Sequence, residues 1–117
     1  MSLRPIPECQ HFIVNSAAGG TLAVVAAVAN QGVGIYRMIL TVPSTITVTI
    51  QDTTGAALSQ PFAFGASGGS ITLDTPINLD PWWVSSVGKG IQLNASTSIQ
   101  VSADIWYLQG AGQGQLA

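Results

Sequence analysis

Apolar and polar residues alternate strictly through Thr45–Gln51. Ile46, Val48 and Ile50 fall on one side, and Thr45, Thr47 and Thr49 on the other. An extended chain points successive side chains to opposite faces, so this stretch reads as a half-buried antiparallel strand with a threonine-lined outer face. Asp52-Thr53-Thr54-Gly55 follows as a turn in which glycine supplies the positive φ of many hairpins. Ala56–Phe64 is therefore expected to pair back on it. Pro61 lacks an N–H and puts that run at a sheet edge or a bulge.

The same period runs through Ser98–Leu108. Ile99, Val101, Ala103, Ile105 and Tyr107 share one face; Gln100, Ser102, Asp104, Trp106 and Leu108 share the other. The second face starts polar and ends apolar, so its far end is expected to meet another surface. Ile91 and Leu93 alternate just upstream, and Asn94–Thr97 reads as the short connection of a hairpin. In Gly34–Val42, Tyr36, Met38, Leu40 and Val42 are expected on one side and Ile35, Arg37, Ile39 and Thr41 on the other. Pro43 ends that strand. His11–Asn15 and Ser70–Asp74 are further strands bounded by Gly or Pro. Thr21–Ala29 is rich in alanine but short for a helix and flanked by glycine, which favours a strand.

The pattern gives about eight short strands spaced about 8–12 residues apart, an all-β chain. The expected fold is an eight-stranded antiparallel sandwich, jelly-roll-like. Residues 1–10, with Pro5 and Pro7, read as an extended N-terminal arm, residues 11–108 as the sandwich, and residues 109–117 as a flexible Gly- and Gln-rich tail.

Composition adds a constraint on the surface. Of 117 residues, 47% are hydrophobic and only 7% charged, against about 25% charged in typical soluble domains. A surface so poor in charge is weakly protected against association, which points to a protein packed against other copies or another chain. The net charge is −2, and the three bases Arg4, Arg37 and Lys89 form no run. Nucleic acid is therefore not expected as a partner. Leu22–Ala29 is too short to span a bilayer, which takes about 20 residues, so no membrane partner is expected.

Candidate chemistry is sparse. A nucleophile needs a base beside it, yet His11 is the single histidine and no Gly-x-Ser-x-Gly elbow occurs. Cys9 and His11 are one potential ligand each, short of a zinc set. Asp74, Asn78 and Asp80 read more simply as turn-capping residues than as a calcium loop. No catalytic residue, metal site or cofactor is expected. Trp82 and Trp83, after Pro81, are the most suggestive pair: extended geometry sends one ring to the core and leaves the other to stack on a sugar or a partner chain. Trp82, Trp83, Trp106 and Leu108 are thus the candidate interface or ligand contacts.

Three runs carry a resemblance: Asn78-Leu79-Asp80-Pro81-Trp82-Trp83, Gly88-Lys89-Gly90-Ile91-Gln92-Leu93-Asn94, and Ile99–Tyr107. With Val24–Ala29 and Ile35–Thr41 upstream, they resemble small β-sandwich, jelly-roll-like structural proteins of tailed bacteriophages and prophages, of the head decoration or cement type. Pro81 and Ala103 stand where that family carries glycine. The resemblance implies a non-enzymatic virion protein, made in the bacterial host cytoplasm, that assembles as a homo-oligomer, favoured as a trimer. Its implied partner is a major capsid protein or another virion protein. The alternative is a carbohydrate- or receptor-binding tail or fibre module that uses exposed tryptophans.

Overall fold

The computed structural model describes residues 9–74 and 81–110. Nine strands run through them: β1 Gln10–Ser16, β2 Gly20–Val25, β3 Gly32–Val42, β4 Ile46–Asp52, β5 Phe62–Phe64, β6 Gly69–Asp74, β7 Trp83–Val84, β8 Ile91–Ala95 and β9 Val101–Gly110. They form two antiparallel sheets, one ordered β1-β9-β3-β6 with the short β7 also on β3, the other β2-β8-β4-β5.

The order has a simple origin. β1 pairs with β9, β2 with β8, β3 with β6, and β4 with β5. These pairs nest in sequence, so the chain is one long folded-over ribbon whose tip is the β4–β5 turn. Rolling that ribbon brings β3 beside β9 and β4 beside β8. The result is an eight-stranded jelly-roll sandwich with β7 as an added two-residue strand.

The inner faces meet in one apolar layer. Val48, Ile50, Ile91 and Leu93 from one sheet pack with Met38, Leu40, Val101 and Ile105 from the other, all fully buried. The alternation seen in Thr45–Gln51 and Ser98–Leu108 predicts these faces correctly. Two expectations are overturned. Ile91–Leu93 and Ser98–Leu108 do not form a hairpin: β8 and β9 lie in different sheets, and residues 96–100 carry the chain across. Alternation marks the buried face of each strand and leaves its pairing partner open. The face assignment of Gly34–Val42 also fails at its start. A bulge between Ile35 and Arg37 makes Tyr36 the extra residue opposite β9. Val33 and Ile35 therefore point into the core before the bulge, and Met38, Leu40 and Val42 after it.

Other differences are local. The strand expected over Thr21–Ala29 stops at Val25, and Val28–Gln31 closes a turn through Asn30 at φ 65°. The strand expected over Ala56–Phe64 is reduced to β5, at the edge that Pro61 indicates. Gly90 is required by space: a Cβ there would lie 2.0 Å from the Val25 carbonyl oxygen.

Two buried polar groups hold the loops at one end. Ser85 is fully buried; its Oγ accepts from the Val33 N–H at 2.9 Å and donates to the Lys89 carbonyl at 2.8 Å. Replacing it leaves a buried N–H without its acceptor. Ser85→Ala is expected to lower stability by about 1–3 kcal/mol in urea unfolding, and an unchanged midpoint would contradict this role.

Asp52 ends β4 on its inward side, 5% exposed. Its Oδ1 accepts from the Thr54 hydroxyl, from the Thr54 N–H at 2.8 Å and from the Ala56 N–H at 3.2 Å. The Thr54 hydroxyl, those N–H groups and the Lys89 charge hold the carboxyl below its ordinary 3.8, against the opposing cost of burial. Because the folded-state value is the lower one, the unfolded chain binds this proton first as pH falls. The stabilisation is complete above the unfolded value and lost as pH drops through the folded one. Unfolding midpoints from pH 7 downward should show the gap between wild type and Asp52→Asn narrowing below about pH 4. A gap independent of pH would refute it.

Candidate functional site

β9 lies between β1 and β3, so its outward side chains from Ser102 to Trp106 have a neighbour on both sides. Trp106 stands between His11 and Arg37, Asp104 between Ile13 and Ile39, and Ser102 between Asn15 and Thr41. β6 continues the rows with Asp74 beside Arg37, Thr72 beside Ile39 and Ser70 beside Thr41. The outer face of this sheet is therefore a ladder of cross-strand contacts.

Its upper row is the most ordered. The His11 and Trp106 rings stack with centroids 4.4 Å apart and planes 11° apart. The Arg37 guanidinium carbon lies 4.8 Å from the centroid of the Trp106 ring. His11 Nε2–H donates to Asp104 Oδ1 at 2.9 Å, and Arg37 Nε lies 3.8 Å from Asp74 Oδ1. All four side chains are partly open to solvent, and the Arg37–Asp74 ion pair contributes at most about 1 kcal/mol. Both side chains also rest against the Trp106 ring, so stacking for His11 and cation–π attraction for Arg37 add to those contacts. Further down, the Gln100 amide donates to Asn15 Oδ1, and Ser102 Oγ donates to the same oxygen at 3.3 Å.

The other sheet presents a different surface. Its outward residues include Thr47, Thr49, Gln51, Gln92 and Asn94, with Gln92 Nε2 donating to Gln51 Oε1 at 2.9 Å. No ionisable side chain points outward from its described strands. The ionisable groups carried by strands are thus concentrated on the Trp106 side.

The remaining candidate residues fall elsewhere. Trp83 pairs with Ile35, packs against the core and meets Phe62 edge-on at 6.1 Å. Trp82 is 47% exposed, its ring centroid 6.3 Å from that of Trp83. Leu108 sits opposite Gly34, half-buried, two residues beyond Trp106. The structure thus places Trp106 and Leu108 on β9 and Trp83 on β7 of the same sheet, with Trp82 just before β7. An open cleft of about 360 Å³ lies between β1 and β2, with Phe12, Ile13, Thr21 and Leu22 in its walls.

Sequence reasoning places His11 beside a chain end and gives it no role. The structure sets it in β1, on Trp106 and Asp104. No local signal ties residues so far apart; their matching phase becomes visible only once β1 and β9 are paired. Among the described residues, no three of His, Cys, Asp and Glu come together as a metal set. Asn78 and Asp80 lie outside the described residues.

No family matches the chain, and neither the curated proteins nor the solved structures give a match.

Trp106→Ala removes the surface against which both His11 and Arg37 are held. It should cost about 1–2 kcal/mol in chemical denaturation while leaving the β-sheet circular dichroism intact. A loss below about 0.3 kcal/mol would show the stack to be incidental.

Proposed function

We propose that this chain is a non-enzymatic structural protein of a tailed-phage particle, a capsid decoration or cement protein that assembles as a homo-oligomer on the particle surface. The observation that carries the reading is the contrast between its two broad sheet faces. One is lined by uncharged Thr, Gln and Asn side chains, and the other bears a cross-strand ladder centred on Trp106. Broad, ordered faces suit packing against a partner's surface, and low charge removes the repulsion between copies. The jelly-roll strand order and the resemblance of residues 78–107 to phage structural proteins support the same reading.

The carbohydrate-binding alternative draws on Trp82, whose ring is exposed. Sugar modules commonly need several open rings, whereas Trp106 is stacked with His11 and Arg37, and Trp83 leans on Phe62 and the core. The assembly reading therefore has the stronger support.

Size-exclusion chromatography with light scattering is the test. The expected mass is a defined multiple of the 12.0 kDa subunit. A strict monomer at high concentration overturns the assembly reading, and glycan-array binding lost in Trp82→Ala would then favour the alternative.

A further inference from the structure

The two sheets have four edges, and three of them are guarded against pairing with another strand. β5 is three residues long and follows Pro61; β2 is broken by a bulge between Ala23 and Val25; β6 ends on the charged Asp74. Short length, bulges, proline and charge are the usual protections of an edge. β1 has no proline, no bulge and no permanently charged side chain. It runs seven residues in unbroken register with β9, contains no Pro, Gly, Lys or carboxylate, and among the described residues nothing pairs with its outer side. It also exposes two large apolar side chains, Phe12 at 36% and Ile13 at 62%.

We propose that β1 is the self-association edge of this protein, pairing antiparallel with β1 of a second copy about a two-fold axis at Ile13. This rests on the assembly reading above and names the surface that performs it. The strand Gln10-His11-Phe12-Ile13-Val14-Asn15-Ser16 is symmetric in character about its middle: three apolar residues flanked by two polar ones on each side. A two-fold interface demands such self-complementarity, because each patch meets its own copy. Centred on Ile13, the pairing sets Phe12 opposite Val14 of the second copy, His11 opposite Asn15, and Gln10 opposite Ser16. Ile13 meets Ile13, which covers the most exposed apolar side chain of the strand. The two β1-β9-β3-β6 sheets join into one continuous sheet of eight strands, and the row of Ile39, Asp104 and Ile13 runs on across the axis.

The pairing is tested with the full chain carrying Ile13→Lys and, separately, Ile13→Cys on a Cys9→Ser background. Because Ile13 points outward, lysine there extends into solvent in the single subunit and leaves its melting temperature nearly unchanged. In the pair, two like charges meet at the axis, and the dimer dissociation constant should rise by about tenfold or more, since the change acts twice. The cysteine variant should form a covalent dimer on mild oxidation, while Thr72→Cys on the same background, on the opposite edge strand β6, should not. A wild-type mass that is an even multiple of the subunit and falls with Ile13→Lys supports the proposal. A trimer, or an oligomer insensitive to Ile13→Lys and uncrosslinked by Ile13→Cys, overturns the β1 pairing and leaves the assembly reading standing. A monomeric wild type overturns both.

Discussion

The insertion of β9 between β1 and β3 is the constraint on which the rest of the structure depends. β1 and β3 have no pairing with each other; each is held through β9. Inward, β9 supplies Val101, Ala103 and Ile105 to the core, and outward it supplies Ser102, Asp104 and Trp106 to the ladder. One strand near the end of the described chain thus completes both the apolar interior and the ordered outer face. Such a contact closes a loop of some ninety residues, from His11 to Asp104. Its entropic cost grows only slowly with length, and the nested pairs β2·β8 and β3·β6 have already closed much of that loop.

That non-local character decides what the sequence discloses. The buried faces of β4 and β9 are readable because period-two alternation is a local property, and Ile46, Val48, Ile50, Val101 and Ile105 stand where it places them. The β4–β5 pairing is readable too, since the turn at Asp52–Gly55 sends the chain back along β4 before β5 begins after Pro61. The bulge at Tyr36 is not readable. It shifts the phase of β3 by one residue, and the letters Ile35-Tyr36-Arg37 alternate equally well in either phase. The separation of β8 from β9 is hidden too, because two amphipathic strands with a short link suit a hairpin and a sheet-to-sheet crossing alike. Of the candidate residues, alternation after Pro81 leads one to expect one ring on the core and one outside it, while which ring is which, Trp83 in and Trp82 out, needs β7 placed on β3. The stack of His11, Trp106 and Arg37 requires three strands to be placed first.

The few charges of the chain gain meaning from this placement. A scattered set of ionisable groups reads in one dimension as a solvated remainder. In the fold, His11, Arg37, Asp74 and Asp104 share one sheet face, while Asp52 turns inward to cap the β4 turn. Arg37 lies near Asp74, His11 bonds to Asp104, and both side chains rest against the Trp106 ring, so the groups of that face are ordered by cross-strand contacts.

The same logic bears on the edges. A two-sheet sandwich cannot close on itself as a barrel does, so it must either protect each edge or use it. Protection costs regularity: β2 carries its bulge and β5 is cut short after Pro61. β1 cannot be cut short or kinked in the same way, because its regular register is what sets His11 on Trp106 and Val14 opposite Ala103. The strand that orders the Trp106 face is thereby left regular, and among the described residues no strand pairs with its outer side. Order on the outer face and exposure at the edge are two consequences of one requirement, the unbroken pairing of β1 with β9.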